Sequence, residues 1–403
     1  MYQFISHPAL CACCGGGIIE IGTDGWEKFL NYDELSFGDT VVIDPQDAFA
    51  GGLPGVDLIT EAEILARKDS LDISDADWSY LSSLFFDDAD FYGGLFFKWG
   101  DELGTAPTLT YSFVDGGTFN FDANYMNDAD ETGMTQVAND FVSFANSDPS
   151  HHMIEFSVDE KEFIRDTLDA YKNVSGIQFV EVDDNNSTSY GDLRFYLQDF
   201  EAWQETGGSY GSGGFAYAPW GDGADNEWSL SGDIFLDSKY EPYDGFFETT
   251  VTHEIGHALG LSHPFGGYGI IGNSDDSLDN PYTVMTYDRD PALLGINPMP
   301  ADMMAMEFLY GGYSEANVGN TSYWLDPGLF DVWSNDLAAE RGWSYGLNAR
   351  MSVVDDGGAD IINASDITNG IFLNLAPGSW SNLSDVNPFL LGFGDDGSSE
   401  QIA

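Results

Sequence analysis

Three of the six histidines in this 403-residue chain fall together in THEIGHALGLSHP, as His253, His257 and His263. If that segment is helical, positions four apart share a face with Cβ atoms about 6 Å apart, so His253 and His257 can aim ring nitrogens at one ion. Gly260 offers a residue that can turn left-handed, end the helix and let His263 approach the same point from another side. Three neutral imidazoles with a fourth position left to water make an open, catalytic zinc arrangement rather than a closed structural one. Glu254 adjoins the first ligand about 100° round the helix, beside the ion instead of on it. A metal so held lowers the pKa of bound water towards ~7, and a carboxylate placed there can take the proton and return it to a leaving amine. The implied chemistry is hydrolysis of an amide. HExxH alone arises by accident in many chains, but with the added Gly and third His a chance match is on the order of one in ten thousand or rarer.

These residues need a helix and a sheet to position them. The alternating TLTYSFV from Thr108 reads as a strand. Ser157 followed by Glu160 forms a capping box, and Ile164, Leu168 and Tyr171 then mark one buried helical face, ending near Gly176. Strands are expected at Ile177 to Val182 and Asp192 to Leu197, then at the short runs FAYA (Phe215 to Ala218) and DIFLD (Asp233 to Asp237), before the helix that begins near Glu248. Pro300 opens a last helix, stopped by Gly311 and Gly312. Strand, helix, several strands, helix: this order defines an α+β lobe. Residues 1–80 are acidic and weakly periodic, and read as a loosely packed N-terminal extension or pro-segment. Residues 81–312 form the catalytic domain, and 313–403 read as a small all-β module.

Composition narrows the partners. Twelve basic residues stand against 69 acidic ones, a net charge of −57, so no basic patch exists to neutralise phosphate, and nucleic acid and anionic membranes are excluded as partners. With 43% hydrophobic and 15% aromatic residues the chain has enough apolar surface to fold, so the acid is a solvated shell. That shell reads either as adaptation to salt or solubility, or as a surface that loads divalent cations. No apolar run is long enough to span a bilayer. The first lysine is Lys28, so no ordinary secretory signal with a basic head is visible. Cys11, Cys13 and Cys14 are the only cysteines, which leaves a Cys-free body of a kind that suits an extracellular protein.

HEIGHALGLSHP followed by VMTY resembles the metzincin metalloproteases and, within them, the serralysin family of secreted bacterial proteases. KWGDELGTAPTLTYSF and PADMMAMEFLYGG are similar to the first strand region and last helix of that catalytic domain, and DDGGADIINASDITNG to the entry into its β-roll. The resemblance implies a zincin-like, two-lobed catalytic domain built on a twisted mixed sheet and an active-site helix, followed by the start of a β-roll. It implies one catalytic zinc, with Met285 as the Met-turn methionine beneath it and Tyr287 as a resting ligand that swings to stabilise the oxyanion. The expected activity is a secreted, monomeric zinc endopeptidase acting on proteins or peptides held as an added strand at a sheet edge, for which FAYA and DIFLD are candidates.

The sequence also departs from that family. Tandem GGxGxDxUx repeats are absent, and DDGGAD is a single turn in which Asp355, Gly357 and Asp360 could hold one hard cation. Together with Asn317, Gly319 and Thr321, which match a family segment, it implies a possible structural Ca²⁺; two ordinary Gly turns would look the same. A thiolate from CACC reaching the zinc would silence a proenzyme, though incidental tail cysteines would share the pattern. Two other functional readings remain open: a catalytically silent, calcium-dependent binding or adhesion module that retains a zincin lobe, and a hydrolase dedicated to one partner protein.

Overall fold

The computed structural model describes residues 3–5, 17–22, 25–31, 56–85, 95–100, 102–114, 116, 144–145, 147–148, 151–184, 190–205, 213–219, 231–240, 246–264, 282–286, 295–312, 319–326, 329–334, 342–346, 351–355, 357–365, 373–374, 380–382 and 390–393. Its N-terminal strands β1 (Gln3–Ile5), β2 (Gly17–Gly22) and β3 (Gly25–Asn31) form an antiparallel sheet. Strand β4 (Val56–Thr60) leads into helices α1 (Glu61–Ser70) and α2 (Asp75–Ser83), and pairs antiparallel with β5 (Leu95–Trp99).

The centre of the molecule is a five-stranded sheet built from β6 (Thr108–Phe113), β7 (Gln178–Glu181), β8 (Leu193–Gln198), β9 (Gly214–Ala216) and β10 (Asp233–Asp237), in the order β7-β6-β8-β10-β9. Four strands run parallel and β9 closes one edge antiparallel to β10. Every residue of β8 and β10 is buried, as expected of parallel strands covered on both faces. DIFLD is therefore an interior strand, and of the two candidate edge runs only FAYA contributes to the edge.

Helix α3 (Val158–Ser175) crosses the sheet. Both halves of its capping box are made: Glu160 N–H donates to Ser157 Oγ at 3.2 Å, and Ser157 N–H to the Glu160 carboxylate at 2.6 Å. Ile164, Leu168 and Tyr171 face the core, and Gly176 ends the helix left-handed at φ 77°. The short helix α4 (Phe200–Glu205) follows β8. Helix α5 (Phe246–Ala258) is buried almost throughout, and α6 (Pro300–Tyr310) ends at left-handed Gly311. One apolar core joins α3, α5 and α6 to the sheet through residues such as Leu168, Phe195, Ile234, Val251 and Leu309.

Residues 56–85 correct the expectation of a loosely packed extension up to residue 80. Ile59, Ile64, Trp78, Leu81, Leu84 and Phe85 belong to that same core. The weak periodicity of this stretch hid its packing because Trp78 and Phe85 also pack on the distant Phe308 of α6. C-terminal to α6 come strands β11 (Thr321–Asp326), β12 (Leu329–Ser334), β13 (Gly342–Gly346), β14 (Met351–Val353), β15 (Ile361–Asn363), β16 (Trp380–Asn382) and β17 (Leu390–Phe393), in sheets ordered β13-β12-β11-β15 and β14-β17-β16. Ser352 ties them to the body by donating its N–H to Asn297 at 2.8 Å and accepting from the Asn297 amide at 2.7 Å.

Candidate metal and active site

His253 and His257 project from the last two turns of α5. The helix then stops in a paired hydrogen-bond cap: Gly260 N–H donates to His257 O and Leu261 N–H to Gly256 O, both at 2.9 Å, with Gly260 left-handed at φ 101°. That reversal returns the chain and delivers His263. The three Nε2 atoms meet at 3.0, 3.2 and 3.2 Å from one another. Ligands of a tetrahedral zinc, at Zn–N distances of about 2.05 Å, stand about 3.3 Å apart, so the trio fits that ion closely.

The protonation pattern agrees. His253 Nδ1 donates to Val284 O at 2.7 Å and His257 Nδ1 to Leu261 O at 2.6 Å, which leaves each Nε2 as a lone pair aimed inward. Burial drives the imidazoles towards the neutral form, His253 down to about 4 and His257 and His263 well below the usual histidine range. Three lone pairs gathered in a dry site repel each other, and a cation between them reverses that. These residues therefore suit a softly ligated divalent metal, zinc foremost.

Glu254 is fully buried. Edge strand β9 lies directly over it: a side-chain carbon at Gly214 would come within 3.0 Å of Glu254 Cγ and 2.9 Å of both Thr250 Cγ2 and Phe235 O. Met285 is fully buried beneath the helix, where a Cβ on Gly256 would fall 2.6 Å from its sulfur and 2.9 Å from the Tyr171 hydroxyl. Tyr171 in turn donates to Thr252 O at 2.8 Å.

Asp302, on α6, was not anticipated. It is fully buried and accepts from Thr283 Oγ1 at 2.5 Å, Val284 N–H at 2.8 Å and Met299 N–H at 2.9 Å. It thereby holds the turn whose carbonyl orients His253. Burial raises its carboxyl to about 7, against the pull of these donors. The signal was present as an acid in the first turn of a largely apolar helix.

Among the other expected site residues, Asp355, Gly357, Asp360, Gly319 and Thr321 come together. Thr321 N–H donates to Asp360 at 2.8 Å, and Asp355 accepts from the Tyr323 hydroxyl at 2.6 Å and Gly357 N–H at 3.2 Å. Tyr287, Asn317 and the cysteines Cys11, Cys13 and Cys14 lie outside the described residues.

A buried helix with two imidazoles four apart, a third beyond a glycine turn and a methionine beneath is the arrangement that the resemblance to the metzincins leads one to expect. Residues 142–271 match the matrixin peptidase family. The chain is 25% identical over 294 residues to the metallopeptidase AprA of Pseudomonas marginalis, covering 68% of this chain and 57% of that protein. It is 26% identical over 273 residues to serralysin of Proteus mirabilis (61% and 51%) and 28% over 265 residues to serralysin C of Dickeya chrysanthemi (61% and 52%). Over these stretches the chain is similar to the serralysin-like metzincins. It spans about half the length of these curated relatives.

Proposed function

We propose that the chain is a zinc-dependent endopeptidase that hydrolyses peptide bonds in extracellular proteins, with residues 81–312, packed on the core residues of segment 56–80, as its catalytic domain and 313–403 as a β module. The observation that carries this reading is the convergence of three neutral imidazoles with Glu254 next to the first of them. His253, His257 and His263 would hold the zinc, which when bound supplies a Lewis acid that makes water nucleophilic near neutral pH. Glu254 takes the proton of the attacking water and passes it to the departing amide nitrogen, keeping both transfers within one buried site. Tyr287 donates its hydroxyl to the oxygen that gains charge. The peptide lies along β9 as an added strand, and Gly214, with no side chain, brings that strand close to Glu254.

The matching experiment is Glu254→Gln. Zinc uptake should persist while cleavage of an unstructured protein falls by about 10²-fold or more; undiminished cleavage sinks this mechanism. Chelation should abolish turnover and added zinc restore it. No described helix is long and apolar enough to cross a membrane. We propose further that one calcium binds at Asp355, Gly357 and Asp360 with Asn317, Gly319 and Thr321. A rise in melting temperature with calcium that Asp360→Asn removes would support it, and an unchanged melting curve would reject it.

A further inference from the structure

The turn that carries His263 takes its outer support from the N-terminal segment. Residues 81–85 are buried to 2% exposure or less. Phe85 pairs antiparallel with Leu261, and Leu84 O accepts the Ser262 N–H at 2.7 Å. Leu261 is the residue whose carbonyl orients His257 at 2.6 Å, and Ser262 directly precedes His263. Two of the three imidazoles thus rest on main chain that residues 84–85 hold.

The end of α5 has two further anchors. Trp99 Nε1 donates to Ala258 O at 2.8 Å and the Tyr310 hydroxyl to Leu259 O at 2.7 Å. The Tyr310 anchor does not depend on the N-terminal segment, whereas Trp99 pairs with Val56 across β5 and β4 and shares that segment's support with the turn beyond α5. The segment is itself tied down: β4 pairs with β5 over its full length, Arg67 Nε donates to Phe308 O at 2.6 Å, and the Phe85 ring packs on Phe308 at 5.2 Å between centroids.

We propose that residues 81–85 are a permanent inner brace of the metal site, positioning His257 and His263 through Leu261 and Ser262. Segment 56–85 therefore belongs to the working enzyme, and any maturation cut that frees a pro-segment lies upstream of Val56. This rests on the zinc reading above.

The test uses the full chain and compares wild type with Phe85→Leu, Phe85→Ala and Trp78→Ala. Trp78 sits in the same segment and packs the same Phe308 ring at 5.6 Å, one step removed from the turn. Zinc affinity is read by chelator competition, and ligand geometry by the visible spectrum of the cobalt-substituted protein. All three variants should melt at lower temperature. Zinc affinity should fall slightly in Phe85→Leu and about tenfold in Phe85→Ala, with altered cobalt bands, as for lost support behind a metal ligand. It should stay near wild type in Trp78→Ala. If Phe85→Ala does not fold, a band shift in Phe85→Leu larger than in Trp78→Ala supports the brace. Unchanged zinc affinity and bands in the Phe85 variants, or an equal loss in Trp78→Ala, overturns it. A wild-type chain that takes up neither zinc nor cobalt overturns the metal centre and the brace together.

Discussion

A single methyl group at position 256 would strike both Met285 and Tyr171, because α5 presses its backbone against them between the two helical imidazoles. Interiors as closely packed as this one do not yield without cost. Gly256→Ala should destabilise the protein by about 1–3 kcal/mol, seen in urea unfolding, and should disturb the Tyr171 bond to Thr252 O. An alanine variant as stable as wild type would show that Met285 can move aside, and that the floor of the site is softer than its burial implies. His253, Glu254 and His257 were readable because such chemistry demands one fixed spacing on one helix, and His263 because it follows a glycine that can end that helix. Gly256 was not, since only packing against residues far along the chain reveals that its missing side chain matters.

At the scale of elements, α6 acts on the site through one carboxyl. Asp302 is raised to about 7 by burial, so between the ordinary carboxyl pKa of ~4 and that value the folded protein holds a proton the unfolded chain has lost. Folding then binds protons, and this group's contribution to stability declines as pH rises from about 4 to 7. Asp302→Asn should remove the slope. Unfolding free energies measured in one metal state at pH 4.5 and 7.5 should show wild type losing on the order of 2–4 kcal/mol relative to the variant. Parallel curves would mean the carboxyl is ionised throughout, held by its three donors. The helices themselves were legible: capping residues, apolar spacing and terminal glycines place α3 and α6 within a residue or so. Strand order was not, because β10 enters the sheet between β8 and β9 by long-range pairing that leaves no local trace.

For the whole molecule, a net charge of −57 means that self-repulsion opposes the compact state. Salt shortens the Debye length from about 10 Å at 0.1 M to 3 Å at 1 M and should weaken that repulsion. The melting temperature is accordingly expected to climb with sodium chloride across that range, and a flat response would indicate acid too dispersed to repel. The buried pair of Arg194 and Asp184, joined at 2.6 Å and nearly free of solvent, should contribute little to this trend.

The amino-acid sequence by itself determined the cluster of His253, His257 and His263, the neighbouring Glu254, the helix that carries His253, Glu254 and His257, and the acidic composition, since each depends on residue type or on spacing within a few turns. Tertiary structure decided the rest: which strand forms the edge, that Asp302 stands behind His253, and that residues 84–85 support the turn before His263. Those are contacts between segments far apart in the chain, and only the packed core brings them together.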